Sequence, residues 1–98
     1  MERASEEEKL LYIQLRISEI LCYVWDPIGV NSIPNCRFEY EWYVFRVFNL
    51  MMDGGDEKAI VALLDEISTV EMGGGPDPRA AEAARQIIAT KKYAEEML

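Results

Sequence analysis

The 98-residue chain is long enough for one domain with its own core and too short for two. Half of its residues are hydrophobic and 29% are charged, which is globular rather than disordered composition, and no apolar run approaches the roughly 20 residues that span a bilayer. With 18 acidic residues against 10 basic ones and no histidine, the net charge of −8 argues against nucleic acid and anionic membrane as partners and removes the commonest general base.

The opening segment MERASEEEK is acidic and has no apolar stretch of the secretory kind, so a cytoplasmic location is expected. In that compartment Cys22 and Cys36 read as reduced thiols, with a Cys22–Cys36 bridge as the alternative for an exported protein. Two cysteines without a histidine do not make a zinc site, and no cofactor is expected.

The first predicted helix covers about residues 5–24. Ser5 and Glu8 form a capping box, and three glutamates sit at the positive end of the helix dipole. Leu10, Ile13, Ile17, Ile20/Leu21 and Val24 then recur at helical spacing, with a second row of Leu11, Leu15 and Cys22. So broad an apolar surface predicts a central helix with more than one neighbour. Pro27 disfavours helix at Asp26, and Asp26-Pro27-Ile28-Gly29 has the residue preferences of a type I turn, with the Asp26 carboxylate free to fold onto nearby amides. Asp26, Pro27 and Gly29 are therefore the residues expected to shape a long loop between the first two helices.

The second helix is predicted over about 38–53, burying Tyr40, Val44, Val47/Phe48 and Met51 with Phe45 and Met52 beside them. Its opposite row is Glu39, Trp42, Arg46, Asn49 and Asp53, which makes Trp42 a large aromatic in a polar row. Asp53-Gly54-Gly55-Asp56 ends this helix and starts the third, about 56–72, whose stripe is Ile60, Leu63/Leu64, Ile67 and Val70. After a glycine-rich connector, Asp77 as N-cap and Pro78 in the first turn predict a fourth helix over about 77–97, with Ala80, Ala81, Ala84, Ile87 and Ile88 inward. The fold class is all-α: one compact four-helix domain over residues 1–98.

Chemistry is sparse. Asp65 and Glu66 are neighbours on a helix and point about 100° apart. The two aspartates around Gly54-Gly55 lack the ligand spacing of a calcium loop and read as helix caps. GGGPDP has neither the lysine nor the hydroxyl residue of a phosphate loop. Cys36 has only Arg37 as an activating neighbour. Two features point outward instead. Aromatic residues cluster around the loop, with Trp25 on one side and Phe38, Tyr40, Trp42 and Tyr43 on the other; Trp25 reads either as a plug under the folded loop, with Ile28 and Ile33 entering the core, or as part of an exposed rim. Residues 54–75 carry five acids, Asp65 and Glu66 among them, against Lys58 alone, a net of −4, whereas residues 76–98 are balanced.

The stretches SEILCYVWDPIGV and FEYEWYVFRV, the glycine-bounded third helix and the following EMG resemble a group of small bacterial all-helical proteins of unknown function, in which a helix ends in W-D-P-x-G. The likeness covers roughly residues 17 to 73, on Trp25, Asp26, Pro27, Gly29, Glu39 and Tyr40; Trp42 and the triple glycine depart from it. Some of that group resemble immunity proteins of bacterial toxin systems, and no catalytic residues carry over. The expectation is a non-enzymatic protein-binding module, an immunity protein in its sharper form. Trp25, Trp42, Tyr43, Asp65 and Glu66 would meet a basic toxin domain. The alternatives are a ligand-binding or enzymatic site of Asp26, Glu39 and Tyr40, and a homodimer that buries Trp42 against its own copy.

Overall fold

The structure, a computed structural model, describes residues 3–98; Met1 and Glu2 of the acidic opening segment lie outside them. Among the described residues the chain forms four α-helices and no strand: α1 (Glu6–Ile20), α2 (Cys36–Met52), α3 (Glu57–Glu66) and α4 (Ala80–Met97). The all-α, four-helix reading therefore holds, with residues 26–35 as the long connection between α1 and α2.

Local chemistry explains most of the boundaries. At the start of α1 the Glu8 amide donates to Ser5 Oγ at 3.1 Å and the Ser5 amide donates to Glu8 Oε1 at 3.2 Å. The Ser5 amide holds the Glu8 carboxyl below its ordinary range. At the end of α2, Gly54 takes φ +96°, its amide donates to Met51 O at 3.1 Å, and the Gly55 amide donates to Leu50 O at 2.9 Å. This pair of bonds is the Schellman arrangement, which needs a residue tolerant of positive φ. A Cβ on Gly55 would lie 2.8 Å from Leu50 O, so the second glycine is required for a different reason. Asp56 then caps α3, accepting from the Ala59 amide at 2.9 Å.

Two boundaries differ from expectation. α1 and α3 each finish in one wide turn, Leu21–Trp25 and Ile67–Glu71, closed by Asp26 N to Leu21 O at 2.9 Å and Met72 N to Ile67 O at 3.0 Å. Such a π turn accommodates one extra residue and shifts the faces beyond it. The buried row therefore steps from the expected Val24 to Cys22 and Trp25. In α3 it takes in Ser68 and leaves Val70 exposed. Ser68 Oγ is satisfied by donating to Gly75 O at 2.5 Å. α4 becomes regular at Ala80 rather than at residue 77. Asp77 instead folds onto Arg79, accepting from its amide at 2.8 Å and from its guanidinium at 2.9 and 2.7 Å. That guanidinium holds the Asp77 carboxyl below its usual range. Ala83 is buried in α4, while Ala81 is exposed.

α1 packs against both α2 and α4, and α3 packs against α4 and α2. α1 thus has the two neighbours expected of it, but so does each other helix, and Leu11 and Leu15 of its second apolar row stay exposed. Two layers of helices give a slab measuring 46 × 30 × 18 Å. Ile17, Leu21, Val47, Ile60, Leu64 and Ile87 are fully buried in its middle.

Candidate functional site

Two regions border the long connection, one closed and one open. The closed region is the corner itself. Cys22 and Cys36 are bonded to each other, with Cα atoms 5.7 Å apart, and both are buried. The reading as reduced thiols is overturned: the corner lays the end of α1 beside the start of α2, within the reach of a disulfide. Asp26 follows with φ 37°, a left-handed conformation that aspartate tolerates better than most side chains. Its buried carboxylate accepts from the Val30 amide at 2.8 Å, the Asn31 amide at 3.1 Å and the Tyr40 hydroxyl at 2.6 Å. The Gly29 amide closes the turn onto Asp26 O at 3.2 Å, and the Arg79 guanidinium reaches the same carbonyl from across the molecule at 3.0 Å. Pro27 occupies the second position of that turn. Burial, then the Asp26 carboxylate, push the Tyr40 hydroxyl well above the usual tyrosine range.

Trp25 belongs to this closed region. It is fully buried, its ring tilted 48° to that of Tyr40 at 5.7 Å between centroids, so it is the plug of the corner and its place on a partner-binding rim is corrected, while Ile28 and Ile33 stay exposed rather than entering the core. The π turn causes this by rotating the last residue of the helix inward. The ligand site of Asp26, Glu39 and Tyr40 does not assemble either. Asp26 and Tyr40 are consumed by each other and by backbone inside the corner, while Glu39 is exposed. Among the described residues no three of His, Cys, Asp and Glu are placed to hold a metal ion, and no helix is long and apolar enough to cross a membrane.

The open region is the outer face of α2 with the neighbouring row of α1. Trp42 is 80% exposed, Phe38 73% and Phe45 56%; Leu11 and Leu15 of α1 are 56% and 47% exposed. A shallow groove between the two helices is lined by Leu11, Leu15, Pro34, Phe38 and Phe45, and runs into a depression around Trp42 that Glu41 and Arg46 border. Tyr43 is half-buried beside it, with the Arg46 guanidinium 5.9 Å from its ring centroid. Arg46 also pairs with Glu71 at 2.6 Å, which is where the acidic stretch 54–75 meets the aromatic face. Of the two acids singled out on α3, Glu66 is exposed; Asp65 is half-buried, and its Oδ1 has no hydrogen-bond partner among the described residues.

Sequence reading grouped Phe38 with Trp42 among the aromatics beside the loop but did not join Phe45, Leu11 or Leu15 to them as one face. The signal was present: α1 and α2 each carry a second apolar row beyond the one their neighbours cover. In comparisons with known proteins, no family model, no curated protein and no solved structure matches the chain.

Proposed function

We propose that the protein works by binding another protein, without catalysis, through the face centred on Trp42. The observation that carries this is Trp42 itself, 80% exposed between Phe38 and Phe45 on a helix whose other side is firmly in the core. Folded monomers seldom leave a contiguous apolar patch of this kind uncovered, and tryptophan dominates the energetic centres of protein interfaces. The rings stand on a regular helix, so little conformational freedom is lost when they are covered.

In its sharper form the proposal is a toxin-neutralising immunity protein. The W-D-P-x-G resemblance, the small size and the net charge of −8 support that form. A strongly acidic protein is steered toward a basic target, and buried aromatics then lengthen the lifetime of the complex. Asp65, Glu66 and Glu71 supply negative charge on the α3 side, and Tyr43 flanks the anchor. A cytoplasmic site of action is part of this proposal. Burial of Cys22 and Cys36 shields their bridge from dissolved thiols, which attack only a sulfur they can reach. Co-purification with the product of the adjacent gene, together with rescue of growth when that product is expressed, tests the reading. Capture and rescue that are lost in Trp42→Ala support it; a wild-type chain that neither captures nor rescues removes the immunity form.

A further inference from the structure

We propose that the Trp42 face also pairs with a second copy of this chain, as a two-fold dimer in which the α2 helices cross antiparallel. This rests on the reading of that face as a protein-binding surface and names the occupant it has when no other partner is present.

Area is the first argument. The exposed parts of Leu11, Leu15, Phe38, Trp42 and Phe45 together present on the order of 700 Å², close to the roughly 800 Å² that each partner contributes to a standard interface. The second argument is charge. Two copies that each carry −8 repel over most of their surface. The charged side chains that line the groove and its depression are Arg37, Glu41 and Arg46, a mixed set without negative excess. This is therefore a place where two acidic chains can meet.

Self-complementarity is the third argument, and it is particular to this sequence. A two-fold axis passing between Tyr43 and Val44 places Glu41 of each copy opposite Arg46 of the other, and Trp42 of each copy opposite Phe45 of the other. An isologous interface needs this relation: every group on one half must suit its symmetry mate. The Glu41 side chain makes no hydrogen bond or ion pair within its own chain among the described residues, so it is available to extend the Arg46–Glu71 pair across the axis.

Sedimentation velocity of the full chain across a micromolar concentration series tests the proposal. The expected mass rises from one chain to two. Trp42→Ala shifts the midpoint at least about tenfold toward higher concentration, as loss of a central anchor does. Glu41→Arg and Arg46→Glu each weaken self-association when alone, and an equimolar mixture of the two variants associates again, because the mixed dimer restores both opposite-charge contacts. Thermal melting of each variant confirms that it is folded. A wild-type chain that stays monomeric throughout overturns the dimer, as does a dimer indifferent to Trp42→Ala and to both charge changes. Neither result bears on capture of a different protein, which the co-purification experiment judges separately.

Discussion

Tyr40 and Trp42 lie two residues apart on α2 and have opposite fates. Tyr40 is sealed in the corner, hydrogen-bonded to Asp26 and packed against the tilted ring of Trp25; Trp42 stands in solvent. Two residues along a helix is a rotation of about 200°, so adjacent aromatics of similar size can be assigned to separate tasks. The buried ring carries a hydroxyl and has a partner for it. The exposed position has no such need and carries the larger ring. One side of α2 thus fixes the fold, and the other is free to meet something else.

Removing the acceptor at the centre of the closed side breaks that contrast most severely. Asp26→Ala leaves two amides and the Tyr40 hydroxyl without their carboxylate, and is expected to lower unfolding free energy by about 4 kcal/mol in chemical denaturation. Asp26→Asn, which keeps one acceptor oxygen and tolerates the left-handed backbone, loses distinctly less. Replacing both cysteines by serine opens the loop closed between residues 22 and 36, and is expected to cost about 3 kcal/mol, with a matching fall when the wild type is reduced.

Tyr40→Phe keeps the ring and deletes the hydroxyl, for an expected loss of about 1.5 kcal/mol near neutral pH. It also sharpens the comparison through pH. The folded state holds the Tyr40 hydroxyl protonated beyond its ordinary range, so its contribution is complete below the unfolded value of about 10 and is lost as pH rises past it. Melting temperatures of the wild type should therefore fall more steeply than those of Tyr40→Phe above about pH 10; parallel curves would contradict the assignment. The smallest effect on stability belongs to the open side. Trp42→Ala should change unfolding free energy by less than about 0.5 kcal/mol while weakening association strongly, the reverse of the Tyr40 result.

The helices were legible because their signals are local. The Ser5–Glu8 box, the paired glycines after Asp53 and the capping Asp56 each act within a few residues, and each acts as the sequence implies. The corner was legible only in part. Asp26-Pro27-Ile28-Gly29 reads as a turn, but its partners Tyr40 and Arg79 arrive from 14 and 53 residues away. The Cys22–Cys36 bond depended on the same long-range placement, and reasoning from the compartment pointed the other way. Val24 was expected inward because periodicity assumes a constant pitch; the π turn violates it, and Trp25 takes that place. The open face was half visible: Trp42 stood out in its polar row, whereas Phe45 and Leu15 looked like ordinary core until the neighbour they would need proved absent among the described residues.

The widened turn at Leu21–Trp25 sets the phase of everything that follows it. Winding the same five residues at ordinary pitch would swing everything downstream by about 100° around the helix axis. Trp25 would turn out to solvent and the carboxylate of Asp26 would miss the Tyr40 hydroxyl, both in one step. The extra residue held in this one turn is what delivers both side chains to the corner.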